Sequence, residues 1–216
     1  MASAERLKRR LSRGLEALDQ ILDDDRQSTL LAYLDELQRW NRSYNLTAVR
    51  DPLEMVTRHL LDSLAVLPWI GAGPLLDAGT GAGLPGVPLA IARPELQITL
   101  LDSAGKKVRF LNHVRRALRL ENVHPVQARL EAFAPVVPPA AVISRAFASL
   151  GDFATAVRAM HGAGSQPAPR LLAMKGRAPR DEIDALPPEV RVDAIERLVV
   201  PGLQEDRHLV IMSLVT

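Results

Sequence analysis

Apolar residues change rhythm once along this chain. Up to about residue 70 they recur every three or four positions, as on one helix face; from Leu75 onward they gather in short runs between further helical stretches. The first part predicts three helices: Ala4 to Leu22, then Arg26 to about Asn41 with Leu30, Leu34, Leu37 and Trp40 at helical spacing, then one from Pro52. The third start is well marked. Asp51 can cap, Pro52 occupies the first turn where its missing N–H costs nothing, and Glu54 stands three residues after the cap. Leu53, Val56, Leu60, Leu61, Leu64 and Leu67 supply its buried stripe.

The second part predicts strands near Leu75 to Asp77, Ile98 to Asp102, Val123 to Gln127, Ala141 to Ser144 and Leu171 to Met174. Between them lie helices at about Val87 to Ala92, Gly105 to Leu120, Leu150 to His161 and Asp181 to Leu186. Such alternation implies right-handed crossovers and a parallel sheet covered on both faces. Two further strand-like runs, Ala194 to Val200 and His208 to Val215, flank Pro201-Gly202 and read as a closing hairpin. The expectation is an α/β fold: a mostly parallel seven-stranded, Rossmann-like sheet over 71–216, preceded by a helical extension over 1–70. Gly162 to Pro169 reads as a surface loop.

Composition narrows the chemistry. The chain has no cysteine, which removes disulfides, thiolate metal sites and a Cys nucleophile and fits a reducing compartment. Charges run through the first residues where a signal peptide would be apolar, and the longest uncharged stretches, Ser63 to Leu76 and Ala78 to Ala92, fall short of the roughly 20 apolar residues of a spanning helix. A cytoplasmic protein with no membrane partner is expected. The net charge of +2 announces no nucleic acid, but only four of the 27 basic residues are lysine, and arginine's planar fork suits phosphates and base edges.

The stretch LLDAGTGAGLPG, residues 75–86, carries the sharpest signal. Gly79, Gly81 and Gly83 alternate, and Gly81, Gly83 and Gly86 also satisfy the G-x-G-x-x-G pattern of nicotinamide enzymes. In an open parallel sheet this turn lies outside the carboxyl ends of the strands, where ligands gather. Asp77, two residues before the first glycine, separates the two ligands: a carboxylate repels a pyrophosphate and attracts the sulfonium and ammonium of S-adenosylmethionine. Pro85 points the same way, since it removes a backbone donor. Asp102, at the end of the next strand, suits ribose hydroxyls in either case. The polarity favours the methyl donor over a dinucleotide.

LLDAGTGAGLPGVPLAIARPELQITLLDSAGKKVRFLNHV, with NRSYNLTAVRDPLEMVTRHLLDSL upstream and ENVHPVQARLEAF, VISRAF and MKGR downstream, occurs in an order that resembles the RsmG (GidB) family, bacterial small-subunit ribosomal RNA guanine-N7 methyltransferases. The resemblance spans residues 35 to 180; GKK at 105–107 departs from the Lys-Arg expected there. It implies a class I methyltransferase fold, S-adenosylmethionine as cofactor, 16S rRNA or the 30S particle as partner, and cofactor contacts at Gly79, Leu84, Leu130, Glu131 and Arg145. Leu130 and Glu131 follow the third strand, where a backbone N–H and a carboxylate can address the adenine edge.

Methylation at guanine N7 uses a lone pair free at neutral pH, so no general base and no metal are required. Accordingly His59, His113, His124, His161 and His208 are scattered, with no nucleophile beside them, and no catalytic residue is assigned. Positioning would supply the rate, with reacting atoms about 3 to 3.5 Å apart. Arg145 cannot donate to N7 without occupying that lone pair, which leaves it cofactor orientation, O6 or a phosphate. For RNA contact, Lys106, Arg109, His113 and Arg116 form one helical stripe, with Val108, Leu111, Val114 and Leu118 opposite. Lys175, for a phosphate or a base edge, and a second cluster, Arg6, Lys8, Arg9, Arg10 and Arg13, for phosphates, are further candidates. Tyr33, Trp40, Tyr44 and Trp69 sit at apolar helical positions and read as core. A nicotinamide oxidoreductase and a non-catalytic RNA-binding module are the alternatives.

Overall fold

The computed structural model describes residues 4–145, 147–162 and 167–215. Of the surface loop expected over 162–169, residues 163–166 lie outside them. Seven strands form one sheet: β1 (Leu75–Ala78), β2 (Ile98–Asp102), β3 (Val123–Gln127), β4 (Ala141–Ser144), β5 (Arg170–Lys175), β6 (Val190–Arg197) and β7 (His208–Leu214). Their order is β3-β2-β1-β4-β5-β7-β6. The first five are parallel, and β7 runs antiparallel between β5 and β6. The chain steps outward from β1 through β2 to β3, then returns to place β4 on the other side of β1. The order therefore reverses at β1 and β4, and a crevice opens beyond their carboxyl ends.

Period-two alternation sorts the central strands between two cores. Leu75, Leu100, Ile143 and Leu172 face α1 (Ala4–Ala17), α2 (Asp24–Tyr44), α5 (Gly86–Ala92) and α6 (Gly105–Ala117); Leu76, Leu101, Val142 and Leu171 face α7 (Leu150–His161). Leu7, Leu11 and Leu15 of α1 and Leu30, Leu34 and Leu37 of α2 belong to the same apolar cluster as that sheet face, α1 packing on α2 and the segment 52–61 and α2 on α5 and α6. Among the described residues no helix is long and apolar enough to cross a membrane.

Several boundaries differ from the sequence reading. α1 stops at Ala17 rather than Leu22, because Asp19 turns to φ 55° and Gln20 N–H reaches back to Leu15 O. α2 starts earlier, on the Asp23 side chain that accepts from Arg26 N–H at 2.8 Å, and runs to Tyr44. α6 ends at Ala117 before Arg119 at φ 53°, not at Leu120. β6 begins at Val190 and is interrupted by a bulge between Val192 and Ala194. Its alternating burial marks a one-faced edge strand, which the continuous apolar run Leu198 to Val200 concealed. The helix from Pro52 is capped by Asp51 as expected, but only its ends, α3 (Pro52–Met55) and α4 (Asp62–Leu64), are α-helical; Val56–Leu61 between them is a π-helix. α8 (Arg180–Asp184) completes the set.

Candidate active site

The glycine turn leaves β1 at the reversal point. Gly79 and Thr80 donate their N–H groups to Leu101 O at 2.9 and 3.0 Å, which holds the turn against β2. Gly83 combines φ 97° with a position where a Cβ would stand 2.6 Å from Val87, so only glycine fits. Gly81, at φ 62°, meets no side chain and presents bare backbone to the crevice. From the helical side, the buried Tyr33 hydroxyl donates to Ala82 O at 2.8 Å, and burial pushes its pKa well up.

Asp77 does not face a ligand. It is fully buried beneath the turn, where Oδ2 accepts from Thr80 Oγ1 at 2.6 Å and from Gly86 N–H at 2.7 Å. Burial raises its pKa to about 6 against those two hydrogen bonds, and Oδ1 has no partner. The carboxylate ties β1 to the first turn of α5 and acts on a bound charge only through its field. The same contact closes the dinucleotide alternative: Gly86 N–H is taken by Asp77, Val87 N–H by Gly83 O at 2.7 Å, and Pro85 and Pro88 have none, so α5 offers no free donors to a pyrophosphate.

Asp102 ends β2 and is almost fully buried. Its Oδ2 accepts from Gly81 N–H at 3.0 Å and Lys107 Nζ at 3.1 Å, and its Oδ1 from Ala104 N–H at 2.9 Å. A carboxylate has about four acceptor sites, so one remains for a hydroxyl. Asp102, Gly79, Leu130, Glu131 and Phe147 line a cavity of about 150 Å³. Gly79 also borders a second, of about 250 Å³, with Thr47, Gly81, Leu84, Lys107 and Arg145. Joined at Gly79, they form a two-part cup of backbone and carboxylate. Of the residues expected at the cofactor, Gly79, Gly81, Leu84, Asp102, Leu130, Glu131 and Arg145 line the cup, whereas Asp77 and Gly83 shape it from behind.

Arg145 stands at the cup's far wall and opens a third cavity of about 400 Å³, also lined by Arg58, His59, Asp62, Lys175 and Arg207. Asp62 is its centre. This nearly buried carboxylate takes Arg145 Nη1 at 3.2 Å on one oxygen and Arg207 Nε at 3.0 Å on the other, while Arg145 also donates to Arg58 O at 3.2 Å. His59 sits beside them with Nε2 2.9 Å from Thr47 Oγ1; burial and then the Arg145 charge lower its pKa to about 4, so the ring is neutral at pH 7. Lys175 lines this chamber, paired with Glu182 at 2.8 Å.

The stripe expected on α6 is only partly present. Lys106, Arg109 and Arg116 are exposed, but His113 leaves the row: its Nε2 lies 2.7 Å from Glu36 and its ring packs on Trp40 at 5.0 Å. Lys107, not Lys106, reaches the cup, because its side chain turns back onto Asp102. Thr47, Arg58 and Asp62 stand within NRSYNLTAVRDPLEMVTRHLLDSL but were assigned no role there, and Arg207 lies outside every motif; Lys107 was the other basic residue of GKK.

The order β3-β2-β1-β4-β5-β7-β6, with β7 inserted antiparallel and a glycine turn at the reversal point, is that of the class I S-adenosylmethionine-dependent methyltransferase fold. Solved structures agree: the glycopeptide N-methyltransferase MtfA complexed with S-adenosylmethionine matches with a TM-score of 0.55 at 12% identity, over 73% of this chain and 88% of that one. TrmN from Thermus thermophilus matches with a TM-score of 0.53 at 15% identity, over 81% of this chain and 53% of that longer one. Residues 26–210 match the family model GidB, rRNA small subunit methyltransferase G, and the chain belongs to that family. Ribosomal RNA small subunit methyltransferase G of Pseudomonas aeruginosa is 53% identical over 203 residues, 94% of this chain and 93% of the relative. The Escherichia fergusonii protein of the same name is 49% identical over 192 residues, 89% of this chain and 91% of the relative.

Proposed function

We infer that the protein transfers the methyl group of S-adenosylmethionine to N7 of a guanine in small-subunit ribosomal RNA, within 16S rRNA or the 30S particle. The observation that carries the reading is the shared wall at Arg145: a cup of backbone and carboxylate meets there a chamber rich in arginine. The cup fits the cofactor. Asp102 keeps one acceptor for a ribose hydroxyl, Glu131 and the Leu130 backbone meet the adenine edge, and Gly79, Gly81 and Leu84 border the methionine end. S-adenosylmethionine supplies, when bound, an electrophilic methyl group on a sulfonium.

The protein's own task is placement. Asp62 clamps Arg145 and Arg207 in the chamber wall, so their forks hold the target nucleotide through O6 or a phosphate and leave N7 open. The neutral His59 ring adds no charge to the chamber. N7 forms its bond to the methyl carbon as the carbon–sulfur bond breaks, the electron pair stays with sulfur, and the base takes up the positive charge. No proton leaves and no metal is needed. Lys175 lies on the nucleotide side, and Lys106, Arg109 and Arg116 on α6 meet RNA phosphates beyond it.

Purified protein incubated with labelled methyl donor and small subunits lacking the modification tests this, the product being digested and mapped by mass. Label on guanine N7 of the small-subunit RNA is expected. Label on ribosomal protein, on another base position or on no RNA overturns the assignment.

A further inference from the structure

The chamber is one end of a longer groove. Arg58 borders both the chamber and a neighbouring depression of about 420 Å³, which also holds Glu54, Gly202 and Glu205. Arg10, Leu53 and Gly202 then join that depression to a cleft of about 290 Å³ under α1, rimmed by Arg6, Arg9, Arg10 and Arg13. From the cup at Gly79 to the first turns of α1 each cavity shares a lining residue with the next.

The four arginines occupy offsets 0, 3, 4 and 7, one helix face, while Leu7, Leu11 and Leu15 anchor the other in the core. Arg10 is engaged, donating to Thr57 Oγ1 at 2.9 and 3.2 Å. Arg6, Arg9 and Arg13 are exposed and have no hydrogen-bond or ion-pair partner among the described residues. Most arginines elsewhere near the groove are matched: Arg58 holds Glu205 at 2.6 Å, and Arg145 and Arg207 hold Asp62. Uncompensated positive charge therefore collects at the end of the groove away from the cup. Arg6 to Arg13 spans about 10 Å of helix axis, over which a nucleic-acid strand presents about three phosphates.

We propose that the α1 face formed by Arg6, Arg9 and Arg13 is a phosphate anchor for the rRNA strand flanking the target guanine, which runs along this groove from the chamber. The proposal rests on the function inferred above. Arginine suits the site because its fork grips phosphate oxygens in pairs, and the anchor contributes affinity without reading bases.

The test is Arg6→Glu/Arg9→Glu/Arg13→Glu in the full-length protein, with Arg6→Gln/Arg9→Gln/Arg13→Gln as a milder set. Binding to an unmodified small-subunit RNA fragment is measured across salt concentrations, and methyl transfer to the particles at saturating cofactor. Expected are a KM for particles raised about tenfold or more, kcat within twofold of wild type and an unchanged Kd for S-adenosylmethionine. The log–log salt dependence of RNA affinity should flatten by about 2, because three phosphates of a single strand would keep their counterions. Wild-type KM and salt slope in either set overturn the anchor, as does an equal loss from Arg39→Glu/Arg158→Glu/Arg191→Glu on other faces. Should wild-type protein itself transfer no methyl to RNA, the inferred function falls, an outcome read in the same assay before any variant.

Discussion

The two sides of Arg145 treat charge in opposite ways. On the cup side, Asp77 and Asp102 are buried and both hold the turn, Asp77 through Thr80 and Gly86 and Asp102 through Gly81. On the chamber side, arginines crowd around one carboxylate, and the groove beyond ends in guanidinium groups with no partner among the described residues. A small ligand with localised positive charge calls for a rigid surface of backbone and acid whose geometry is complete before it arrives. A polyanion calls for surplus cations at the surface, where the ligand supplies the partner. The difference separates residues whose loss damages the fold from residues whose loss damages only binding.

The largest effect belongs where the two sides meet. Asp62→Ala strands two arginines around a nearly buried site; breaking such a cluster costs about 3 kcal/mol, reduced somewhat because both guanidinium groups keep some solvent. Denaturant titration should register that loss, and methyl transfer should drop at least tenfold while S-adenosylmethionine still binds; unchanged turnover would break the assignment of Asp62 as a clamp. Gly83→Val comes next, at about 2–3 kcal/mol for strained backbone and the clash with Val87, with cofactor binding lost by calorimetry. Asp102→Asn should weaken cofactor binding tenfold to a hundredfold, the range for losing a charged acceptor of about 1.5–3 kcal/mol, and leave RNA affinity alone.

A subtler contrast is written in pH. His59 titrates near 4 when folded and 6.5 when unfolded, so its neutral burial loses stability as pH falls from 6.5 toward 4. Asp77 titrates near 6 when folded and 3.8 when unfolded; the folded state binds the extra proton between those values, and stability is lost as pH rises through that window. The two slopes oppose each other, each being worth about 3 kcal/mol. Asp77→Asn should therefore uncover the histidine slope and make the protein more acid-sensitive between pH 6.5 and 4, measured as denaturation midpoint against pH. The smallest expected effect is at Lys107→Gln, where freeing Asp102 of its ammonium partner should tighten cofactor binding a few-fold.

How much of this was readable in the chain depends on the range of the interaction. β2, β3 and β4 were placed to the residue, because short apolar runs between helices are local signals. The glycine turn was equally plain, and so was the presence of Asp77 beside it. Its direction was not legible: whether a side chain at a strand end points to the crevice or under the turn depends on Thr80 and Gly86 folding back over it. The Asp62 clamp joins side chains 83 and 145 residues apart, on a helix, a strand end and the loop before β7, and no spacing rule reaches so far. His113 kept its helical phase yet left the basic row, because Glu36 and Trp40 of α2 claimed it.

The π-helical run Val56–Leu61 amounts to one residue inserted into an α-helix, and an insertion of that size turns everything after it by about 100°. Were a single position removed between 56 and 61, the segment would stay helical and still bury leucines, but Asp62 would rotate out from between its arginines. The Asp62 clamp hangs on a local excess of backbone, a defect in regularity that the surrounding core holds in place.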